Sequence, residues 1–105
     1  MSRLPTITDP DLLHNAHAGE LLWREFMEPL GLSAEDVARA VRLPSDRIDS
    51  VVQGRRRVDG ELDLRLARYF RMSEGFFLRL QDSYELLEAR RALSGELDRI
   101  VPRAA

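Results

Sequence analysis

Apolar residues recur at helical spacing along most of this chain, and the sharpest pattern lies between Leu32 and Gly54. Val37, Ala38 and Val41 fall at i, i+1 and i+4, which places them on one face of a helix. Ser33 stands ahead of them as an N-cap, with Asp36 three residues on, the spacing of a capping box. Pro44 biases Leu43 away from helical geometry, which stops this helix. Ser45 is the N-cap candidate for a second helix. Ile48, Val51 and Val52 at i, i+3 and i+4 give that helix a buried face. Its outward face is then Asp46, Arg47, Asp49, Ser50 and Gln53, and Gly54 closes it. Two short amphipathic helices, a tight turn and three arginines directly after form the pattern of a DNA-binding helix-turn-helix.

The flanking chain reads as further helices. Residues 1–16 carry Pro5 and Pro10 and little periodicity, an arm with one short turn around Asp11 to Asn15. A first helix is expected from Gly19 to Glu28, with Leu21, Leu22 and Phe26 inward beside Trp23 or Met27, ended by Pro29 and Gly31. Asp59 caps a helix from Gly60 to Arg71. Leu64, Leu66, Ala67 and Phe70 form its core face, Arg65 and Arg68 point away, and Asp63 caps or pairs within the first turn. Ser73 caps a last long helix carrying Phe76, Phe77, Leu80, Tyr84, Leu87 and Arg91. Gly95 breaks it, and a short segment from Glu96 to Val101 ends at Pro102. The expected architecture is one all-α, five-helix domain of 105 residues, with the helix-turn-helix at 33–53 and a C-terminal helical segment at 73–101.

Charge sharpens this picture. Overall net charge is −2, but residues 39–71 hold nine arginines against five carboxylates, the only positive third of the chain. Residues 1–38 hold two against seven, and residues 72–105 five against six. The overall balance argues against nonspecific polyanion binding, while its distribution permits a local DNA face. All 16 basic residues are arginine, the better bidentate partner for phosphate and guanine, although a GC-rich genome gives the same bias. With no cysteine there is no disulfide framework and no thiolate metal site. His14 and His17 have helical spacing but no third ligand, so neither a metal nor a cofactor is expected. No apolar run reaches the length of a membrane span and no signal peptide is legible, so a cytoplasmic location is expected.

From His17 to Leu86 the chain resembles the HigA-type antitoxins, a branch of the XRE (Cro/repressor-like) regulators. The resemblance rests on order and spacing: His17-Ala18-Gly19-Glu20, Glu28-Pro29-Leu30-Gly31-Leu32-Ser33, Ser45-Asp46-Arg47-Ile48, Gly54-Arg55-Arg56, Leu64-Arg65-Leu66-Ala67-Arg68-Tyr69-Phe70 and Ser73-Glu74-Gly75-Phe76-Phe77. It implies a repressor-like fold, a partner toxin that is a small ribonuclease, and repression of the chain's own operon. The chain departs from the pattern at three places. Ala18 replaces a proline, Arg42 stands where the turn commonly has glycine, and Ala34 replaces a phosphate-holding glutamine.

The candidate DNA contacts are Ser45, Asp46, Arg47, Asp49, Ser50 and Gln53 for base edges, and Arg55, Arg56 and Arg57 for the phosphate backbone. Arg47 suits guanine and Gln53 adenine. Asp46 and Asp49 repel phosphate and accept only from cytosine N4. They form no acid–base pair, lacking a pocket, a nucleophile or a metal motif, so an enzyme is not expected. One such motif reads too few base pairs for specificity, so a homodimer on double-stranded operator DNA is expected, with Tyr84, Leu87 and Leu93 as the seam. Two further readings stay open: a stand-alone regulator without a toxin, and a toxin-binding module whose DNA binding has degenerated.

Overall fold

The computed structural model describes residues 14–104, so most of the expected arm lies outside the described residues. Among the described residues every regular element is helical: α1 (Ala18–Leu21), α2 (Ala34–Val41), α3 (Ser45–Val52), α4 (Gly60–Phe70) and α5 (Phe76–Ala92), with a short 3-10 turn at Leu97–Arg99.

The first helix changes pitch as it runs. After α1 it continues as a π-helix over Leu22–Met27 and tightens to a 3-10 turn over Glu28–Leu30. Pro29 has no amide hydrogen to keep an α ladder going. The wider register puts Leu22 and Met27, five residues apart, both in the core, while Trp23 stays exposed. Helical α spacing would send Met27 away from Leu22, which is why the sequence pattern left its place open.

α2 begins with the expected capping box: the Asp36 amide donates to Ser33 Oγ at 3.0 Å and the Ser33 amide to Asp36 Oδ2 at 2.9 Å. Its C-terminus turns through Arg42 at φ 63°, ψ 49°, a left-handed cap built on a non-glycine residue. Arg65 of α4 reaches this end and donates to the Val41 carbonyl at 2.7 Å, so it does not point away as expected. α3 starts from Pro44 as N-cap, with Ser45 already helical, so the Ser45 cap is not formed.

The core joins Ala18, Leu22 and Met27 to Val37, Ala38, Val41, Ile48, Val51, Val58, Leu62, Leu66 and Phe77. A cluster of Phe26, Phe70, Phe76 and Phe77 closes one side, with Phe26 5.2 Å from both Phe70 and Phe77 between ring centroids. In α4 the inward residues are Leu62, Leu66 and Ala67. Leu64 is 51% exposed, because a helix that buries 62 and 66 turns 64 outward.

Asp63 is the largest departure from the local reading. It is buried, and its partners lie in the next helix: Oδ2 accepts from the Gly75 amide at 2.6 Å, Oδ1 from Phe77 and Leu78 at 2.8 and 3.0 Å. A carboxylate thus caps the first turn of α5 from another helix, where the helix dipole favours negative charge. The N-cap residue is Gly75, and Ser73 makes no side-chain cap; its hydroxyl accepts from Arg79 at 3.1 Å.

Candidate nucleic-acid interface

α2 and α3 pack closely, and α3 presents one edge to solvent. Ser45, Asp46 and Gln53 are exposed and Asp49 is half-buried. With Ser33, Ala34 and Glu35 at the start of α2, residues 45, 46 and 49 frame an open notch between the two helices. The notch carries three carboxylates and no arginine.

Two residues expected on the outward face are elsewhere. Ser50 is buried, and its hydroxyl donates to the Asp46 carbonyl at 2.7 Å, so it satisfies the helix from inside. Arg47 has only 14% of its side chain exposed and pairs with Asp59 at 2.6 Å. Asp59 also caps α4, accepting from the Leu62 amide at 3.0 Å. That amide, with Arg47 beside it, holds the Asp59 carboxyl below its usual range. Arg47 therefore locks α3 to the start of α4.

The arginine loop follows α3 through Gly54 at φ +79°, where the chain turns back under the His17 ring. A Cβ there would stand 3.0 Å from His17 Nε2. Arg55, Arg56 and Arg57 are exposed. Arg55 donates to Gln53 and lies 3.8 Å from Asp49, while Gln53 donates to Asp49 at 2.9 Å. Arg57 turns the other way, to Glu85 at 2.9 Å and Asp82 at 3.8 Å on α5. Sequence distance hid this pair, since the partners are 28 residues apart.

Of the expected seam, Tyr84 faces its own chain. Its ring meets His17 edge-on at 6.0 Å between centroids, and its carbonyl accepts from Asn15 Nδ2 at 2.9 Å. Leu87 is half-buried, while Leu86 and Leu93 are the exposed apolar residues of this stretch, joined further on by Leu97, Ile100 and Val101. Among the described residues no group of His, Asp or Glu is arranged to hold a metal ion, and no helix is long and apolar enough to cross a membrane.

The chain matches no family model. Its relatives are informative. Virulence-associated protein I of Dichelobacter nodosus is 37% identical over 70 residues, 67% of this chain and 65% of that protein, so the chain matches just under two thirds of that relative's length. A helix-turn-helix transcriptional regulator of Haemophilus influenzae is 30% identical over 80% of both chains. Among solved structures, Pseudomonas aeruginosa PA4674 in complex with its operator DNA has a TM-score of 0.81 at 30% identity, covering 88% of this chain and 98% of that one. Pseudomonas aeruginosa antitoxin HigA with the higBA promoter has a TM-score of 0.78 at 27% identity, covering 88% and 100%. The chain belongs to the HigA-type antitoxins.

In this antitoxin the run His17-Ala18-Gly19-Glu20 has a structural purpose at each place. His17 Nδ1 accepts from the Glu20 amide at 3.1 Å and caps α1. Ala18 and Gly19 are buried, and Glu20 holds His14 at 3.0 Å and Arg24 at 3.3 Å. Its relatives are regulators and antitoxins, and the antitoxin has no part in enzyme chemistry.

Proposed function

We propose that this antitoxin represses its own operon as a homodimer and neutralises a partner toxin, a small ribonuclease as the family resemblance implies. The observation that carries the DNA reading is continuity: the exposed edge of α3, through Ser45, Asp46, Asp49 and Gln53, runs directly into Arg55 and Arg56. Related chains of the same fold are solved on operator or promoter DNA. In this reading the α3 edge meets base edges and Arg55, Arg56 and Arg57 hold phosphates. Arg47 sets the angle of α3, and Ser50 stabilises the helix from within.

The exposed apolar residues from the end of α5 onward support the homodimer. Leu93, Leu97, Ile100 and Val101 lie open to solvent there. Two such stretches packed about a two-fold axis cover each other's apolar residues. Two reading helices then lie about one DNA turn apart, roughly 34 Å.

The test is a gel-shift titration on the DNA upstream of the chain's own gene, with wild type and the double variant Arg55→Ala, Arg56→Ala. The double variant weakens binding to all sequences alike and flattens the salt slope by about one unit per lost contact. An unchanged affinity and slope removes the phosphate role.

The carboxylates around the notch, Glu35, Asp46 and Asp49, favour a second reading, a toxin-binding module without operator binding. Tight toxin capture with no DNA shift at concentrations where the dimer is formed selects it. A genome without a toxin gene beside this one selects the stand-alone regulator.

A further inference from the structure

We propose that Glu85 and Asp82 form an electrostatic latch that competes with DNA for Arg57. The inference rests on the DNA reading of the arginine loop and assigns that loop a built-in restraint. Arg57 Nη2 lies 2.9 Å from Glu85 Oε2 and 3.8 Å from Asp82 Oδ1, one turn apart on the same face of α5. All three side chains are substantially exposed, so the pair sits in water and exchanges readily. Neither carboxylate is needed to fold the loop. The loop backbone is held from within, by Arg55 and Arg56 amides donating to the Ser50 carbonyl at 2.8 and 3.2 Å and by the Val58 amide donating to Gln81 Oε1 at 3.4 Å. Glu85 and Asp82 therefore direct the Arg57 side chain without shaping the chain that carries it.

A guanidinium cannot satisfy a carboxylate and a phosphate with the same donors. For Arg57 to turn its Nη2 edge to a phosphate, its bonds to α5 are given up, and the antitoxin binds DNA more weakly by the strength of that pair. The restraint lies on α5, the helix whose exposed Leu86 stands beside Glu85. The latch thus sets the loop's grip on DNA by the charge carried on α5.

The test is a double-mutant cycle on the full chain, read as affinity for the upstream DNA at low salt. Asp82→Asn with Glu85→Gln keeps shape and removes both charges. Affinity is expected to rise roughly two- to five-fold, the range of an exposed ion pair. In an Arg57→Ala background the same two substitutions are expected to change nothing. A rise that persists without Arg57 overturns the latch, because it is then general repulsion between α5 and DNA. No rise, or a fall, with Arg57 present overturns it too. The Arg55→Ala, Arg56→Ala variant separates the two ideas. If it loses DNA while the cycle is flat, only the latch fails. If wild type and every variant leave DNA unshifted, the DNA reading fails and the latch with it.

Discussion

Gly19 lies against Val51 at backbone contact. A Cβ on Gly19 would stand 1.7 Å from the Val51 carbonyl oxygen and 2.5 Å from its carbonyl carbon. The first helix and α3 therefore touch main chain to main chain, and the position of α3 depends on a missing side chain. Gly19→Ala is expected to destabilise the fold by about 3 kcal/mol, the upper end for overpacking a core, because backbone cannot step aside as a side chain does. A urea titration checks it; a loss within measurement error contradicts the contact.

Arg42 and Arg71 end α2 and α4 in the left-handed region, at φ 63° and 59°. An L-residue there costs about 1–2 kcal/mol, part of which glycine gives back through a more flexible unfolded chain. Arg42→Gly is expected to stabilise by about 0.5–1 kcal/mol, since its own carbonyl remains to accept from Arg65. Thermal unfolding shows it as a rise in Tm. A fall contradicts the left-handed cap.

Asp63→Ala removes the acceptor for three buried or half-buried amides of α5. A cost of about 3 kcal/mol follows from leaving such donors unmet. Asp63→Asn recovers only part, because its amide group faces the Gly75 amide, donor against donor. Hydrogen exchange at Phe77 and Leu78 checks it: fast exchange in the alanine variant with α2 and α3 still protected is the expected result, and uniform protection contradicts the cap.

Arg47→Ala is expected to lower stability and to leave the base preference of the α3 edge unchanged in kind, because the side chain is occupied by Asp59. Selection from a randomised operator library reads this directly. Lost discrimination at one guanine would make Arg47 a base-reading residue instead.

Among the described residues three carboxylates are held below their ordinary range: Asp36 chiefly by the Ser33 amide, Asp59 chiefly by the Leu62 amide, and Glu20 chiefly by its bond to His14. A lowered folded pKa contributes stability that is complete above the unfolded value, about 4, and is lost as pH falls through the folded one. Stability is therefore expected to be level in these three groups from neutral pH to about 5 and to decline below about 4. Asp36→Asn keeps an acceptor for Ser33 and loses the charge, so its decline is shallower. Parallel unfolding curves for variant and wild type across that range contradict the assignment.

The sequence revealed what is local. The capping box at Ser33, the cap at Asp59 and the closure at Gly54 are all formed, since each depends on neighbours within a few residues, whereas α2 ends at Arg42, ahead of Pro44. Ser45, a local reading too, lost its cap to Pro44. What sequence could not show is set by contacts across the fold. Ser50 and Leu64 were misplaced by a fraction of a helical turn. Asp63 and Arg65 bridge helices, and Arg57 finds its carboxylates on α5. Arg47 carries a charge that suits DNA, and only its 14% exposure reveals that it is already committed.

The Asp63 cap has a mechanical consequence for α5. The helix is 17 residues long, about 26 Å, and its fully buried residues, Phe77 and Gln81, lie in its first two turns. From Leu93 to Val101 the chain is exposed. α5 is therefore bolted at Asp63, propped further along by His17 and Asn15 at Tyr84 and Glu88, and free only from Leu93 on. A load applied at that free end is borne first by the prop at Tyr84 and Glu88, and only then by the bolt at Asp63.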